Sequence, residues 1–250
     1  EMAFKKVNLV INATTATQFI PLVARAAINS KSDYLELSVH YTLGEMRPEI
    51  NKAKRCFITQ AGFHPGLPAV FVRFASKYFT QFDKAIISMA MNAHFKHPSS
   101  ASEVADMVGG DPAEILVDGE WVEGTYKRMK KIYFEGFGTK SCYPIQMEEI
   151  MILPKMYGLK DIGVYAAGFN WFIDNFVLPL NMLLYKIKKG FGKKLLSWLM
   201  YWGARMFTPP SPKILFILDA EGMKKNTKVR LRLAAEHHNA FDFTAIPVVA

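Results

Sequence analysis

Several signatures that would identify a function directly are missing from this 250-residue sequence. It has no phosphate-binding loop ending in Gly-Lys-Ser/Thr, no His-Glu-x-x-His pair and no Gly-x-Ser-x-Gly turn. P-loop nucleotide hydrolysis, zinc-dependent proteolysis and the commonest serine hydrolase chemistry are therefore not predicted. No metal site is predicted either.

Cysteine is scarce as well. Cys56 and Cys142 are the only two, and 86 positions separate them. This spacing fits neither a disulfide framework nor a zinc pattern, so we expect a reducing compartment, the cytoplasm.

Acidic residues are outnumbered, with 31 Lys and Arg against 22 Asp and Glu, which gives a formal charge of +9. No nucleic-acid-binding motif accompanies this charge, so no nucleic-acid partner is predicted. A solvated basic surface explains the excess, and attraction to a phosphate-bearing cofactor or an anionic membrane remains open.

What the sequence does contain is an alternation of short apolar strands and helical runs. Strands are predicted at 7–13, 34–38 and 55–60, and helices at 18–29, 45–54 and 69–75. This order indicates a parallel sheet with right-handed crossovers, in which ligands bind at the carboxyl ends of the strands. The third strand runs into a turn of small residues, Gln60-Ala61-Gly62-Phe63-His64-Pro65-Gly66, that leads into a helix. Such a turn suits an anionic or polar ligand.

The predicted fold class is α/β, a partial Rossmann sheet followed by an inserted α+β domain. A parallel sheet with polar strand ends but no glycine fingerprint is interpreted as the second half of a dinucleotide-binding domain. We expect the missing fingerprint to precede Glu1, so that this chain is a fragment. The predicted boundaries are 1–78 for the Rossmann part, 79–240 for the inserted domain and 241–250 for a return segment.

The cofactor-side candidates lie at the three strand ends. They are Asn12, Ala13, Thr14, Ser38, Gln60, Ala61, Gly62, Pro65 and Gly66. Asn12 and Thr14 could contact a cofactor or merely cap the following helix. His64 could donate a proton near the reacting centre, because imidazole titrates near neutrality, or bond its own backbone. Tyr143 could place a phenol in the cleft or serve only in packing.

The inserted region carries its own local signals. Ser100-Ala-Ser-Glu103 resembles a capping box for a helix that ends at Gly109, and Asp118-Gly119 predicts a hairpin turn. The basic run 127–131 is interpreted as a solvated face. His237-His238 is interpreted as a surface turn rather than a metal site.

Residues 171–207 are rich in apolar and aromatic side chains but fall short of the roughly 20 consecutive apolar residues of a membrane-spanning helix. Basic residues interrupt the segment: Lys186, Lys188, Lys189, Lys193 and Lys194. A buried helix, a dimer face and a membrane-surface helix pair are all compatible with this pattern.

Several of these motifs resemble the saccharopine dehydrogenase-like oxidoreductases. They are Asn12-Ala13-Thr14, residues 34–38, the turn Ala61-Gly62-Phe63-His64-Pro65-Gly66-Leu67, Tyr143-Pro144, residues 165–172 and residues 243–250. The matches follow the same order along nearly the whole chain.

The resemblance implies NADP or NAD as hydride carrier, a homodimer, and an amino-acid-like substrate that reacts at an imine or secondary amine. It also implies that Ala61, Gly62, Pro65 and Gly66 lie where the nicotinamide meets the inserted domain. His64 departs from the family, which often has an acidic residue before the proline. A catalytically silent protein that keeps the fold, dimeric or bound to a membrane surface, is the alternative.

Overall fold

A computed structural model of the protein describes residues 4–14, 16–38, 43–92, 94–95, 97–109, 113–188 and 190–249. The chain divides into two compact units. The first comprises Glu1–Val70 and Phe241–Ala250, and the second comprises Phe71–Ala240. The expected α/β class is confirmed, because the first unit carries a parallel sheet and the second a larger mixed sheet.

The strands and helices are numbered along the chain. The strands are β1 (Leu9–Asn12), β2 (Asp33–Glu36), β3 (Phe57–Ile58), β4 (Gln81–Asn92), β5 (Ala113–Val117), β6 (Glu120–Gly124), β7 (Lys130–Phe134), β8 (Gly138–Ile145), β9 (Asp161–Ala167), β10 (Lys213–Lys224) and β11 (Thr227–His237). The helices are α1 (Ile20–Asn29), α2 (Arg47–Ala53), α3 (Leu67–Ser76), α4 (Pro98–Gly109), α5 (Leu153–Tyr157), α6 (Leu178–Ile187), α7 (Lys193–Phe207) and α8 (Ala240–Val249).

The first unit is built on the parallel sheet β1-β2-β3. Its strands and helices alternate as the sequence predicted, with α1 between β1 and β2 and α2 between β2 and β3. The strand β1 is shorter than the predicted 7–13, because the N–H of Val7 closes a turn onto the carbonyl of Phe4 at 3.2 Å. The helix α2 ends at Ala53, because Lys54 adopts a left-handed φ of 53°.

One face of α1 packs against this sheet. Its buried residues Ile20, Ala24 and Ala27 follow helical spacing, and Pro21 is accommodated in the first turn, where no backbone donor is needed. The core of the unit comprises Val10, Ile20, Ala24, Ala27, Tyr34, Leu43 and Met46.

The second unit is organised around an eight-stranded sheet. Its main path runs β11-β10-β4-β9-β5-β6, and β8 pairs with both β9 and β7. The long strands β4 and β10 are antiparallel neighbours, whereas β4 and β9 are parallel. The predicted hairpin at Asp118-Gly119 is confirmed, because both residues have positive φ between β5 and β6.

In the second unit one prediction of local structure is wrong, and two strands are missing from the predicted elements. Ser100 does not cap α4, because that helix already begins at Pro98 and the N–H of Ser100 bonds the carbonyl of His97 at 3.2 Å. The strands β8 and β9 were not predicted. In β9 the small residues Gly163, Ala166 and Ala167 weaken the apolar pattern that marks a buried strand.

Residues 171–207 form a helical hairpin, in which a π-helical turn (Ile173–Val177) and α6 lead to α7. The close approach of α7 to the π-helical turn depends on Gly203, where an added Cβ would lie 2.5 Å from a ring carbon of Phe172. Among the described residues, no helix is both long and apolar enough to cross a membrane. Lys189 lies outside the described residues.

Candidate functional site

The strongest candidate site lies at the carboxyl ends of the three parallel strands in the first unit. Asn12 ends β1, and its side chain is almost completely buried. Its Nδ2 donates to the hydroxyl of Tyr34 at 2.9 Å, while its Oδ1 accepts from the N–H of Thr14 at 3.4 Å. Asn12 therefore ties two neighbouring strands together at the edge where a ligand would bind.

Glu36 ends β2 and is fully buried, with 0% of its surface exposed. One carboxylate oxygen, Oε1, accepts the N–H of Ser38. The other, Oε2, is buried and has no hydrogen-bond partner among the described residues. Burial raises the pKa of this carboxyl, and the hydrogen bond from the Ser38 N–H opposes that shift.

Glu36 was not among the residues predicted for the site. It stands inside the run Tyr34-Leu35-Glu36-Leu37, which predicts a strand but does not reveal that both of its faces are covered. The available signal was a single charged residue in an otherwise apolar strand of a parallel sheet.

The turn at 60–66 is fastened to β2 and closes tightly on itself. The N–H of Ala61 donates to the Glu36 carbonyl at 3.0 Å, and the N–H of Leu67 donates to the Gly62 carbonyl at 3.2 Å. Gly66 has φ +124°, and an added Cβ would lie 2.5 Å from two backbone oxygens, those of Gln60 and Gly62. Only glycine fits this position, so the backbone path of the turn is set by sequence.

His64 lies in this turn with its Nε2 buried and without a hydrogen-bond partner among the described residues. Burial lowers the pKa of the imidazole to about 3, although a bond to its own backbone opposes the shift. The expected titration near neutrality therefore does not apply to His64, whose Nε2 is buried although the residue is partly exposed. At physiological pH His64 is a neutral group with one ring nitrogen that has no partner among the described residues.

The helix α8, near the end of the given sequence, packs against this turn. The ring of Phe243 stacks on that of Phe63 with centroids 4.4 Å apart, and Phe243 is buried. A Cβ added to Gly62 would lie 3.1 Å from a methyl carbon of Thr244. Phe243 and Thr244 thus pack against the turn of the candidate site.

The remaining cofactor-side candidates have different surroundings. Thr14 is exposed and accepts the N–H of Ala16 at 3.1 Å, a local side-chain-to-backbone bond that does not cap α1. Ala13 is exposed, and Ser38 is partly buried beside Glu36. Gln60 is buried with a left-handed φ of 58°. The structure therefore brings these residues to one edge, but Thr14 already has a structural role.

Tyr143 belongs to the second unit, on β8, where it is partly buried. Burial raises the pKa of its phenol, and the negative charge of Asp174 adds to this effect. The hydroxyl is thus protonated at physiological pH and can donate a hydrogen bond. Asp174 lies in the π-helical turn and accepts the N–H of Phe169 at 3.1 Å.

Asp174→Asn should stabilise the protein above pH 6 but not at pH 4. Burial raises the pKa of Asp174 to about 6 from 3.8, while Lys140 and the N–H groups of Phe169 and Gly168 oppose the shift. Because the folded state favours the protonated form of Asp174, this carboxyl contributes to the stability of the fold below about pH 4. That contribution is lost as the pH rises through 6. The gain is expected to reach at most about 3 kcal/mol at pH 8.

The measurement is the thermal midpoint of both proteins from pH 4 to pH 8. Asp118→Asn, at an exposed hairpin position, is the control and should show no pH-dependent gain. Equal pH profiles for Asp174→Asn and the wild type would contradict the buried position of this carboxylate.

The structure also bears on the residues considered as metal ligands and on the basic run interpreted as a solvated face. Among the residues that the structure describes, no three His, Cys, Asp or Glu side chains are grouped as metal ligands. His237 ends β11, and its Nδ1 accepts the N–H of Asn239 at 3.0 Å, as in a local turn. The prediction of a solvated face for 127–131 is wrong for Lys130, which is partly buried with its Nζ 5.3 Å from the centroid of the Tyr165 ring.

No protein-family model matches the chain, and no curated protein matches it. Some solved structures match over most of the chain at low similarity. GenD2 from gentamicin A biosynthesis, in complex with NAD, shares 10% identity at a TM-score of 0.37, over 93% of this chain and 57% of its own. Biliverdin reductase from Synechocystis, with biliverdin and NADP+, shares 10% identity at a TM-score of 0.31, over 92% of this chain and 66% of its own.

An oxidoreductase from Agrobacterium radiobacter, in complex with NAD+, L-tartaric acid and magnesium, shares 11% identity at a TM-score of 0.32, over 90% of this chain and 60% of its own. The chain therefore spans less than two thirds of the length of each of these three structures. Values this low do not assign the chain to a family.

Proposed function

We propose that the chain is an NAD(P)-dependent oxidoreductase whose first unit contributes the nicotinamide side of the cofactor site. The observation that carries the proposal is a pair of buried polar atoms without partners among the described residues, Glu36 Oε2 and His64 Nε2. Both residues lie at the carboxyl edge of a parallel sheet, where ligands of such sheets bind. A ligand with polar groups would satisfy atoms that are otherwise costly to bury.

The strand order supports the same proposal. A dinucleotide-binding sheet has the order 3-2-1-4-5-6, and its second half consists of three parallel strands in consecutive order, as in β1-β2-β3. Asn12, Glu36 and the turn 60–66 would hold the nicotinamide end. The sequence contains no Gly-x-Gly-x-x-Gly, so no residue of this chain is assigned to the pyrophosphate.

The proposed substrate is an amino-acid-like imine or secondary amine, as the resemblance of the 61–67 turn to saccharopine dehydrogenase-like proteins suggests. The bound dinucleotide would supply a hydride to the imine carbon while a proton reaches the nitrogen, or take the hydride back in the reverse direction. His64 is neutral and offers Nε2 for positioning, whereas Tyr143 keeps its proton and can donate a hydrogen bond. A homodimer remains part of this proposal.

Fluorescence titration of the native polypeptide with NADPH and NADH tests the cofactor, and NADPH oxidation with a 2-oxo acid plus an amino acid tests the reaction. Glu36→Gln keeps the size of the side chain and an acceptor for the Ser38 N–H but replaces an acceptor atom by a donor. It should weaken dinucleotide binding about 10-fold or more, as expected for a mismatched buried hydrogen bond.

The matched control is Glu49→Gln, an exposed glutamate paired with Arg25 at 3.3 Å, which should leave binding unchanged. If the native polypeptide binds neither dinucleotide, the oxidoreductase proposal fails. If it binds and Glu36→Gln binds equally well, only the role given to Glu36 fails.

A second candidate function, attachment to an anionic membrane surface, is favoured by the solvent-facing side of the helical hairpin. The helix α7 buries Leu196, Met200 and Ala204, yet its opposite face is also apolar. Exposed large side chains of the hairpin are Trp171, Phe176, Leu183, Ile187, Phe191, Leu195, Trp198, Trp202 and Met206. A buried helix is therefore the wrong interpretation for this face.

Basic residues lie among these apolar side chains. Lys188 and Lys194 are exposed, and Lys193 is partly exposed at the start of α7. Aromatic side chains beside lysines are suited to the boundary between lipid headgroups and acyl chains, with anionic lipid as the complementary charge. Flotation with phosphatidylserine-containing vesicles should therefore succeed, and it should weaken when Lys188, Lys193 and Lys194 are replaced by Glu. A concentration-dependent dimer without vesicle binding would instead identify the face as a contact between two copies.

A further inference from the structure

One face of the large sheet in the second unit carries an open groove of about 600 Å³ that the proposed oxidoreductase activity does not use. Three adjacent strands form its floor, since Glu221 on β10 lies opposite both Lys84 on β4 and Arg230 on β11. Arg232 lies opposite Asp219 in the same way. Residues two apart along a strand share a face, so these side chains project to one side of the sheet.

The strand β7 supplies the wall of the groove. Lys130 and Lys131 line it together with Ile132, and Ile132 packs into the core that β7 shares with the sheet. Lys130 is held at a defined place, because its Nζ lies over the Tyr165 ring and Tyr165 is almost fully buried on β9. The wall is therefore anchored by apolar packing, and Lys130, on the same face of β7 as Ile132, faces the groove.

The charges of the groove do not balance. Five cationic side chains line it against two carboxylates. Each carboxylate has an arginine close by, with Arg230 Nε 3.3 Å from Glu221 Oε1 and Arg232 Nε 3.4 Å from Asp219 Oδ1. Of the three lysines that remain, Lys84, Lys130 and Lys131, the first two face the groove, whereas Lys131 projects from the other face of β7.

Two of these lysines repel one another. Burial lowers the pKa of Lys130, the charge of Lys84 lowers it further, and Asp161 opposes the shift. Two like charges held close together raise the free energy of the folded protein. A bound anion removes this penalty, because it interacts favourably with both charges.

We propose that this groove binds a small phosphorylated molecule, with Lys84 and Lys130 as the phosphate contacts. A compact ammonium is a suitable point charge for phosphate oxygens. The volume is within the range of small-molecule sites and larger than a phosphate ion requires, which leaves room for the organic part of the ligand. Arg230 and Arg232, already paired, set the rim of the site.

The probe is inorganic pyrophosphate, titrated calorimetrically into the native protein at low salt. We expect saturable binding that weakens as salt is added. Lys84→Gln and Lys130→Gln should each weaken binding about 10-fold, a loss of about 1.4 kcal/mol. Lys84 is partly exposed on β4, so its replacement tests the site even if Lys130→Gln impairs folding. Lys224→Gln, at the end of β10 and outside the lining, is the matched control.

A second measurement follows the lysine side-chain resonances by NMR. Pyrophosphate should raise the pH at which Lys130 titrates and leave Lys224 unaffected. The proposal is overturned if pyrophosphate does not bind, if Lys224→Gln weakens binding as much as Lys84→Gln, or if the Lys130 titration does not respond. None of these readouts involves NADPH oxidation, so failure here and failure of the oxidoreductase proposal are distinguishable.

Discussion

Gly66→Ala should destabilise the first unit by roughly 3 kcal/mol or more. Two penalties combine at this position. A φ of +124° is strained for any residue with a Cβ, and that Cβ would lie 2.5 Å from the carbonyl oxygens of Gln60 and Gly62. Because these oxygens are backbone atoms, the turn itself must move to relieve the clash.

Hydrogen exchange read by mass spectrometry measures this effect within each unit. Amides of α1 and β2 should lose most of their protection in Gly66→Ala, whereas those of β4 and β10 should keep it. Gly119→Ala is the matched control, since its φ is also positive, at +87°, but no atom lies within 4 Å of the added Cβ. It should cost only about 1 kcal/mol. Unchanged protection of α1 in Gly66→Ala would contradict the described turn.

Replacing Ile187 and Trp198 together by Ser should reduce binding to phosphatidylserine-containing vesicles about 100-fold. These side chains are 69% and 57% exposed on the helical hairpin, so their removal takes apolar area from the lipid contact rather than from the core. Each full burial of such a side chain contributes on the order of 1.5 kcal/mol, which is about tenfold in the partition constant.

The control is the pair Leu22→Ser and Ile152→Ser, which are 68% and 56% exposed away from the hairpin. This variant loses comparable apolar surface and should bind vesicles as the wild type does. Equal vesicle binding by both double variants would exclude the hairpin as the lipid contact. Ultracentrifugation of the same proteins shows whether the hairpin variant instead changes a monomer–dimer equilibrium.

The two units differ in how far their sequence predicted their structure. In the first unit, short apolar strands alternate with helical runs. The turn that contains Gly62 and Gly66 has a sequence that is compatible with few backbone conformations. Local pattern and tertiary structure agree there. Glu36 was missed because its burial depends on what covers β2, which a periodicity of two or 3.6 residues does not report.

The second unit illustrates the opposite situation. The strand β9 lies at the centre of the sheet, yet Gly163 and its alanines make it look weakly apolar. Lys130 stands in a run of charges typical of a solvated face, but it is partly buried and its ammonium lies over the ring of Tyr165 on β9. Both misjudgements have one physical cause, since burial is created by distant segments of the chain.

The charges of β11 also limit how the protein associates with itself. This strand ends the large sheet and is 11 residues long, which exposes a row of backbone donors and acceptors to any other extended chain. Its exposed face carries Lys228, Arg230 and Arg232 in succession, then Ala234 and Glu236. A strand from another molecule that paired with β11 would place its own side chains beside these charged groups. It would remove water from them without burying apolar surface in return. Concentrated solutions should therefore resist edge-to-edge polymerisation at β11 even though the strand is long and regular.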